Sequence, residues 1–292
     1  MRVTEHRMLQ LAADQLGQNR ERVAKAAGRL ASGLDVQLPS DDVVRWGEGM
    51  RAESAAAESR ARGGAIDRAR EQLSQVENSL GDITNGLLRA RELAVQMANG
   101  TWSATDRQGV AAEVIEIRQR IVASASVRGV DGDYLLSGSL ARSGPYDALG
   151  NYIGDAEQRR IESGPGGLVE PSSVNAEGLT AANGGVDIVP WLDALVVALQ
   201  GNSQAGVQAT LDPIAQAVDQ ASLLRSQVGD YLHALDDADS ARASFEVNLA
   251  KIKQRAVDTD PVAAASDLAG SQIALQASQA IAQMLNAMFT NR

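Results

Sequence analysis

The chain has 292 residues and no cysteine, so disulfides, thiolate metal sites and thiol nucleophiles are excluded together, while the length allows one or two domains with a substantial core. A formal net charge of -10, with no cluster of Lys and Arg, argues against a nucleic-acid or anionic-membrane partner. Hydrophobic residues make up 44% but aromatics only 3%, so the apolar content is largely Ala with Leu, Val and Ile, which favours thin helical seams over a thick globular core.

The N-terminus, MRVTEHRMLQLAADQ, lacks the continuous apolar stretch and small-residue cleavage site of a secretory signal, so departure from the cell would need another route. Leu9, Leu16, Val23 and Leu30 stand seven apart. Ala13, Ala27 and Leu34 are expected to fill the alternate positions of a coiled-coil seam that only Arg20 interrupts with charge. The spacing predicts a helix from Thr4 to Ala31 that ends near Gly33, a residue tolerant of the left-handed cap conformation. Pro39 then blocks continuation, and Ser40, Asp41 and Asp42 are placed to accept hydrogen bonds from the first amides of the next helix.

The second helix starts near Val43 through Ala-rich and Arg-rich sequence with Gly63 and Gly64, which reads as weak helix. It then carries Ile66, Ala69, Leu73, Val76, Leu80, Ile83, Leu87, Ala90, Ala94 and Met97 at steps of three and four, a sustained seam. Asn99-Gly100 ends it, Ser103 or Thr105 is expected to cap the next helix, and Val110, Val114, Ile117 and Ile121 form that helix's apolar face. A connection this short makes the two helices antiparallel neighbours. Between Gly129 and Gly185 turn residues dominate, and DYLLSGS, GNYIGD and QRRIES read as short strands of a small β module.

Pro190-Trp191 opens a short helix reaching Leu199, and Gly201 to Gly206 form a turn. A long seam follows through Val207, Leu211, Ile214, Val218, Val228, Leu232, Leu235, Phe245, Leu249 and Ile252, with a register shift expected near Ala238. The chain breaks at Asp258 to Pro261, and the last stretch, Leu268 to Asn291, carries no charge. Its length would suit a bilayer, but Gln272, Gln276, Gln279, Gln283 and Asn286 would strand amides in hydrocarbon. Leu268, Leu275, Ile281, Leu285 and Met288, separated by small or amide residues, read instead as a helix surrounded by protein, with the N-terminal seam as its partner. Periodicity alone fits equally well a pair of terminal helices that merely closes an ordinary bundle.

The fold class expected is mainly α: an elongated helical hairpin or coiled-coil bundle with paired terminal helices and a small β-rich insertion. Residues 1–42 and 258–292 are expected to form a terminal coiled-coil domain, 43–132 and 190–257 a helical rod, and 133–189 a β-rich outer domain. Leu73, Val76, Leu80, Ile83, Leu87, Val228 and Leu232 are the expected core of the rod.

Three stretches carry a resemblance. SGLDVQLPSDD, RELAVQMANGTWSATDR with the helix after it, and QIALQASQAIAQML resemble, in that order, elements of bacterial flagellins and flagellar hook-associated proteins. VDGDYLLSGSLARSGPYDALGNYIGD resembles the hook-filament junction members of that family, hook-associated protein 3, in which a similar run leads into a small β domain. The match departs at Val43, Val44, Arg45 and Trp46, where the family usually carries Pro and small residues. The resemblance implies a structural subunit of the extracellular flagellum, with no enzymatic activity and no cofactor, exported through the flagellar type III apparatus. Implied partners are copies of itself, a neighbouring hook-associated protein, flagellin, and a cytosolic export chaperone on the C-terminal region. Implied polymer-interface residues are Leu9, Leu16, Val23, Leu30, Leu268, Leu275, Ile281, Leu285 and Met288. A short flagellin, and from another class a soluble coiled-coil binding module or an enzyme, are the alternatives.

Signals for chemistry are weak. His6 and His233 lie far apart in sequence without a third ligand nearby, which favours surface or seam roles. Asp236, Asp237 and Asp239 lack the Gly and distal Glu of a calcium loop and read as a solvated helix face. Gly164, Gly166 and Gly167 surround Pro165 with no following Lys-Ser or Lys-Thr, so they read as turn residues and not as a phosphate cradle. Ser40 has no His partner in sequence and is better explained as a cap than as a nucleophile.

Overall fold

The computed structural model describes residues 2–147, 150–164 and 167–290, with the side chains of residues 2–6, 9, 183, 289 and 290 outside that description. Helices α1 (Arg2–Ser32), α2 (Val43–Met97) and α3 (Ala104–Ala125) come first, followed by an insertion with strands β1 (Arg160–Gly164) and β2 (Leu168–Pro171). Helices α4 (Ile188–Gln200), α5 (Gln204–Ala209), α6 (Leu211–Val257) and α7 (Pro261–Thr290) complete the chain. Two compact units result, a terminal one of residues 1–58 and 245–292 and a central one of 59–244, with both boundaries falling inside α2 and α6.

In the central unit every α2 seam residue from Ile66 to Met97 is buried, together with Leu93. Val114, Ile117 and Ile121 of α3 are buried against the same core, with Val110 half-buried. Helix α4 is apolar on nearly every side, and Ile188, Trp191, Leu192, Leu195 and Leu199 enter that core as well. Each buried Leu or Ile contributes about 1.5–3 kcal/mol, so this cluster supplies most of the stability of the unit. The register shift expected near Ala238 is absent. Ile214, Ala217, Ala221, Leu224, Val228, Tyr231, Leu235, Ala238, Arg242, Phe245 and Leu249 are all buried or half-buried, and they alternate steps of three and four without interruption. The shift arises only if seam positions are restricted to large aliphatic residues; here Ala, Tyr and Arg hold several of them, while Ile252 is exposed.

The Gly-rich start of α2 is also seam and not weak helix. Ala52, Ser59 and Gly63 are buried. A Cβ on Gly63 would lie 2.9 Å from the Arg242 guanidinium carbon, so this glycine makes room for a long side chain from α6.

The insertion holds fewer of the expected strands than its turn pattern predicts. Within the insertion only QRRIES yields a strand, β1, which pairs antiparallel with β2, a strand the sequence reading did not identify. DYLLSGS and GNYIGD form isolated bridges, Ser137 with Asn175 and Tyr146 with Tyr152. Their role is to bury Leu135, Leu136 and Ser137 beneath a turn network. Tyr152 Oη donates to the Asp155 carbonyl at 3.0 Å, and Asp155 Oδ1 accepts from Ser139 N at 2.7 Å, while Gly138 supplies the left-handed turn with φ of 71°. Gly167, at φ 82°, opens β2, and Pro165 and Gly166 of the intervening turn lie outside the described residues.

Candidate assembly surface

Helices α1 and α7 pair antiparallel. Asn19 Nδ2 donates to Ser278 Oγ at 2.5 Å and to the Ala274 carbonyl at 3.4 Å, while Thr259 N donates to Gly33 O at 2.9 Å at the opposite end of the pair. Half-buried or buried residues at regular spacing include Ala12, Leu16, Asn19, Val23 and Ala26 on α1 and Ala264, Leu268, Ser271, Leu275, Ser278, Ala282 and Leu285 on α7. Both sets alternate steps of four and three, the spacing of a coiled-coil face.

Leu16, Val23, Leu268, Leu275 and Leu285 therefore lie in this internal seam. Ala13 and Ala27 do not: they are exposed, because the seam advances by three from Leu16 and Val23 to Asn19 and Ala26 and not by four. Spacing could not distinguish the two choices, since Ala stands on both sides; the polar Asn19, bonded to Ser278, marks the occupied one. Leu30, Ile281 and Met288 are exposed, at 39%, 54% and 69%, and are joined in water by Leu11, Ile273 and Met284. The side chain of Leu9 lies outside the described residues.

The breaks between helices form a clasp. Gly33 ends α1 with φ of 72° and its amide on the Arg29 carbonyl at 2.9 Å. Asp35 N and Val36 N donate to Val257 O at 2.8 and 3.3 Å, tying the first break to the end of α6. Val36, Ala256 and Val257 are buried in a small core on which Leu34 and Trp46 pack. Arg45 donates to Ala256 O at 2.9 Å and to Asp35 Oδ2 at 2.6 Å, and Arg29 also reaches Asp35 at 3.4 Å. Arg45 and Trp46, the two large residues among the four at which the sequence departs from its resemblance, thus both take part in the clasp.

Of the three expected caps one works as expected. Asp42 Oδ1 accepts from Val44 N and Arg45 N at 2.9 and 3.0 Å and caps α2. Asp41 instead turns back on the loop, where Leu38 N and Gln37 N donate to its Oδ2 at 3.0 and 3.1 Å and hold its carboxyl below the usual range. Pro39 and Ser40 are exposed. Asp260 caps α7 through Val262 N at 2.8 Å, with Pro261 as the first helical residue.

The expected core residues Leu73, Val76, Leu80, Ile83, Leu87 and Val228 are buried and Leu232 is half-buried. Two of the three aspartates near His233 are ion-paired, Asp236 with Arg70 at 2.7 Å and Asp239 with Arg242 at 2.8 Å. His233 is exposed, and the side chain of His6 lies outside the description. Among the described residues there is no group of three or more His, Cys, Asp or Glu arranged to hold a metal ion, and no helix long and apolar enough to cross a membrane. A cavity of about 440 Å³ beside α1 and α7 is walled by Arg22, Lys25, Asp258 and Asp267, a charged lining unlike the apolar pockets that enclose small molecules.

A family profile described as the bacterial flagellin N-terminal helical region matches residues 5–141. The flagellar hook-associated protein 3 of Escherichia coli K12 is 24% identical over 277 residues, which cover 87% of each chain. Flagellin FlaB2 of Treponema pallidum is 27% identical over 280 residues, 93% of this chain and 91% of its own. In fold, a solved structure described as a flagellar hook-associated protein from Vibrio parahaemolyticus superposes with a TM-score of 0.68 at 23% identity, over 75% of this chain and all of that one. Over most of its length the chain is thus similar to bacterial flagellins and flagellar hook-associated proteins.

Proposed function

We propose that this protein is a structural axial subunit of the bacterial flagellum that forms the junction between hook and filament and assembles through its terminal helices. The observation that carries the reading is the terminal pair itself: its internal seam is satisfied, yet Leu11, Ile273, Ile281, Met284 and Met288 remain in water as a second apolar stripe. A continuous stripe of that kind is the surface a neighbouring helix covers. Likeness to hook-associated protein 3 over most of both chains supports the junction, and the flagellar names of the proteins it resembles favour a structural role without catalysis.

On this reading the partners are copies of the same chain, an adjacent hook-associated protein and flagellin, and the site of action is the extracellular flagellum. Before assembly the C-terminal stripe calls for a cytosolic export chaperone, and the route outward is the flagellar type III apparatus. The likeness to flagellin FlaB2 keeps a filament subunit as the second reading.

Deleting residues 268–292 tests the proposal. The truncated subunit is expected to keep its helical central unit, measured by circular dichroism, and to lose incorporation at hook ends. Truncated subunits that still joined hooks to filaments would refute assembly through the terminal helices. With the full chain, addition limited to a short zone supports the junction, whereas indefinite extension of seeds supports the filament.

A further inference from the structure

We infer that Met8, Met284 and Met288 form a modification site, at which oxidation to methionine sulfoxide by hydrogen peroxide blocks incorporation of the subunit; the inference rests on the terminal pair being the assembly surface. The three side chains are 54%, 67% and 69% exposed. Met284 and Met288 stand four apart on the stripe that also carries Ile273 and Ile281. Met8 belongs to the same level of the pair. From the contact of Asn19 with Ala274 and Ser278, eleven residues further along the antiparallel helices bring position 8 opposite 285–289. Three accessible thioethers thus lie at the same end of the terminal pair. Met97, 1% exposed at the end of the α2 seam, is the internal control, and Met50, 52% exposed on α2, is accessible but outside the pair.

A sulfur lone pair attacks one peroxide oxygen, an S–O bond forms as the O–O bond breaks, and the other oxygen leaves as water after proton transfer. The sulfur is oxidised by two electrons and the peroxide is reduced. The product replaces a flexible apolar side chain by a polar one carrying a strong acceptor. On a surface that another helix must cover, that acceptor has no donor.

The experiment treats folded full-length protein with hydrogen peroxide, maps oxygen addition by peptide mass and measures incorporation at hook ends. Addition is expected at Met8, Met50, Met284 and Met288 and not at Met97. Incorporation is expected to fall at least about tenfold, the effect of burying one unpaired polar group, and to recover after treatment with methionine sulfoxide reductases of both stereospecificities. The triple variant Met8→Leu, Met284→Leu, Met288→Leu is expected to keep its untreated level after the same exposure. Full incorporation of oxidised wild type, or equal loss in the triple variant, overturns the inference. Should the triple variant not incorporate even untreated, the reductases decide, since loss they do not reverse overturns it. Untreated wild type that fails to incorporate overturns the functional reading and this inference with it.

Discussion

Arg107 is 4% exposed and has no carboxylate among its described partners. Its guanidinium instead donates to the carbonyls of Met97 at 3.3 Å and Asn99 at 3.0 Å and to the side-chain oxygen of Asn202. It therefore caps the C-terminus of α2, where the helix dipole favours a cation, and ties the α2–α3 turn to the turn after α4. The Arg107→Leu variant leaves these acceptors unpaired. Urea unfolding is expected to show a loss of about 2–4 kcal/mol, whereas a change within about 0.5 kcal/mol, ordinary for surface positions, would show the cap to be dispensable. Arg107 lay in plain view inside TWSATDR, yet nothing in the sequence distinguishes a buried Arg from the exposed ones around it. Tyr152 makes a second case. Burial, above all, pushes its phenol up to about 12, with a raising contribution from Asp155 opposed by hydrogen bonding at Ala176. Since the folded value lies above the ordinary value of 10.0, the folded state holds the proton more tightly. Its contribution to stability is complete below about pH 10 and is lost as pH rises towards 12. Melting of Tyr152→Phe is expected to be less sensitive to pH across that window than melting of wild type; identical slopes would contradict the assignment.

At the scale of elements, the helices follow from periodicity and caps, and their glycines follow from what stands opposite. Gly49 is buried in α2, and a Cβ there would come within 2.6 Å of Val257 Cγ1, a branched side chain with little freedom to move. Gly229 lies inside α6 with nothing within 4 Å of the equivalent point. The same substitution should act in opposite directions at the two sites. Gly229→Ala is expected to stabilise by about 0.5–1 kcal/mol through backbone entropy. Gly49→Ala forfeits that gain to overpacking of about 1–3 kcal/mol. Thermal unfolding of both variants measures this, and equal shifts of one sign would refute the close approach of α2 to α6 at Gly49. The α1 seam shows the limit of sequence reading at this scale. Leu16 and Val23 fix the stripe, but whether Ala26 or Ala27 completes it depends on where α7 lies, and only the contact of Asn19 with Ser278 decides it.

For the whole molecule, the terminal unit and the central unit differ in how they are held. The central unit encloses a continuous core, whereas the terminal pair has a seam in which Leu16, Val23, Leu268, Leu275 and Leu285 are only half-buried. Pairs with so little enclosed surface barely offset the conformational entropy of two long helices. Limited trypsin digestion of the free subunit is therefore expected to cut early at Arg20, Arg22, Lys25 and Arg29 and to leave a resistant core that begins near Val43. Uniform resistance would instead identify a self-contained bundle. The helices, the break at Pro39, the restart at Asp42 and the core from Ile66 to Met97 were all legible from residue order, because helix periodicity and capping act over a few residues. The pairing of β1 with β2, the Arg45 clasp on Asp35 and Ala256, and the division of α7 into a seam stripe and an exposed one were decided only by tertiary structure. Each depends on which distant segment arrives opposite, and a single chain position carries no record of that.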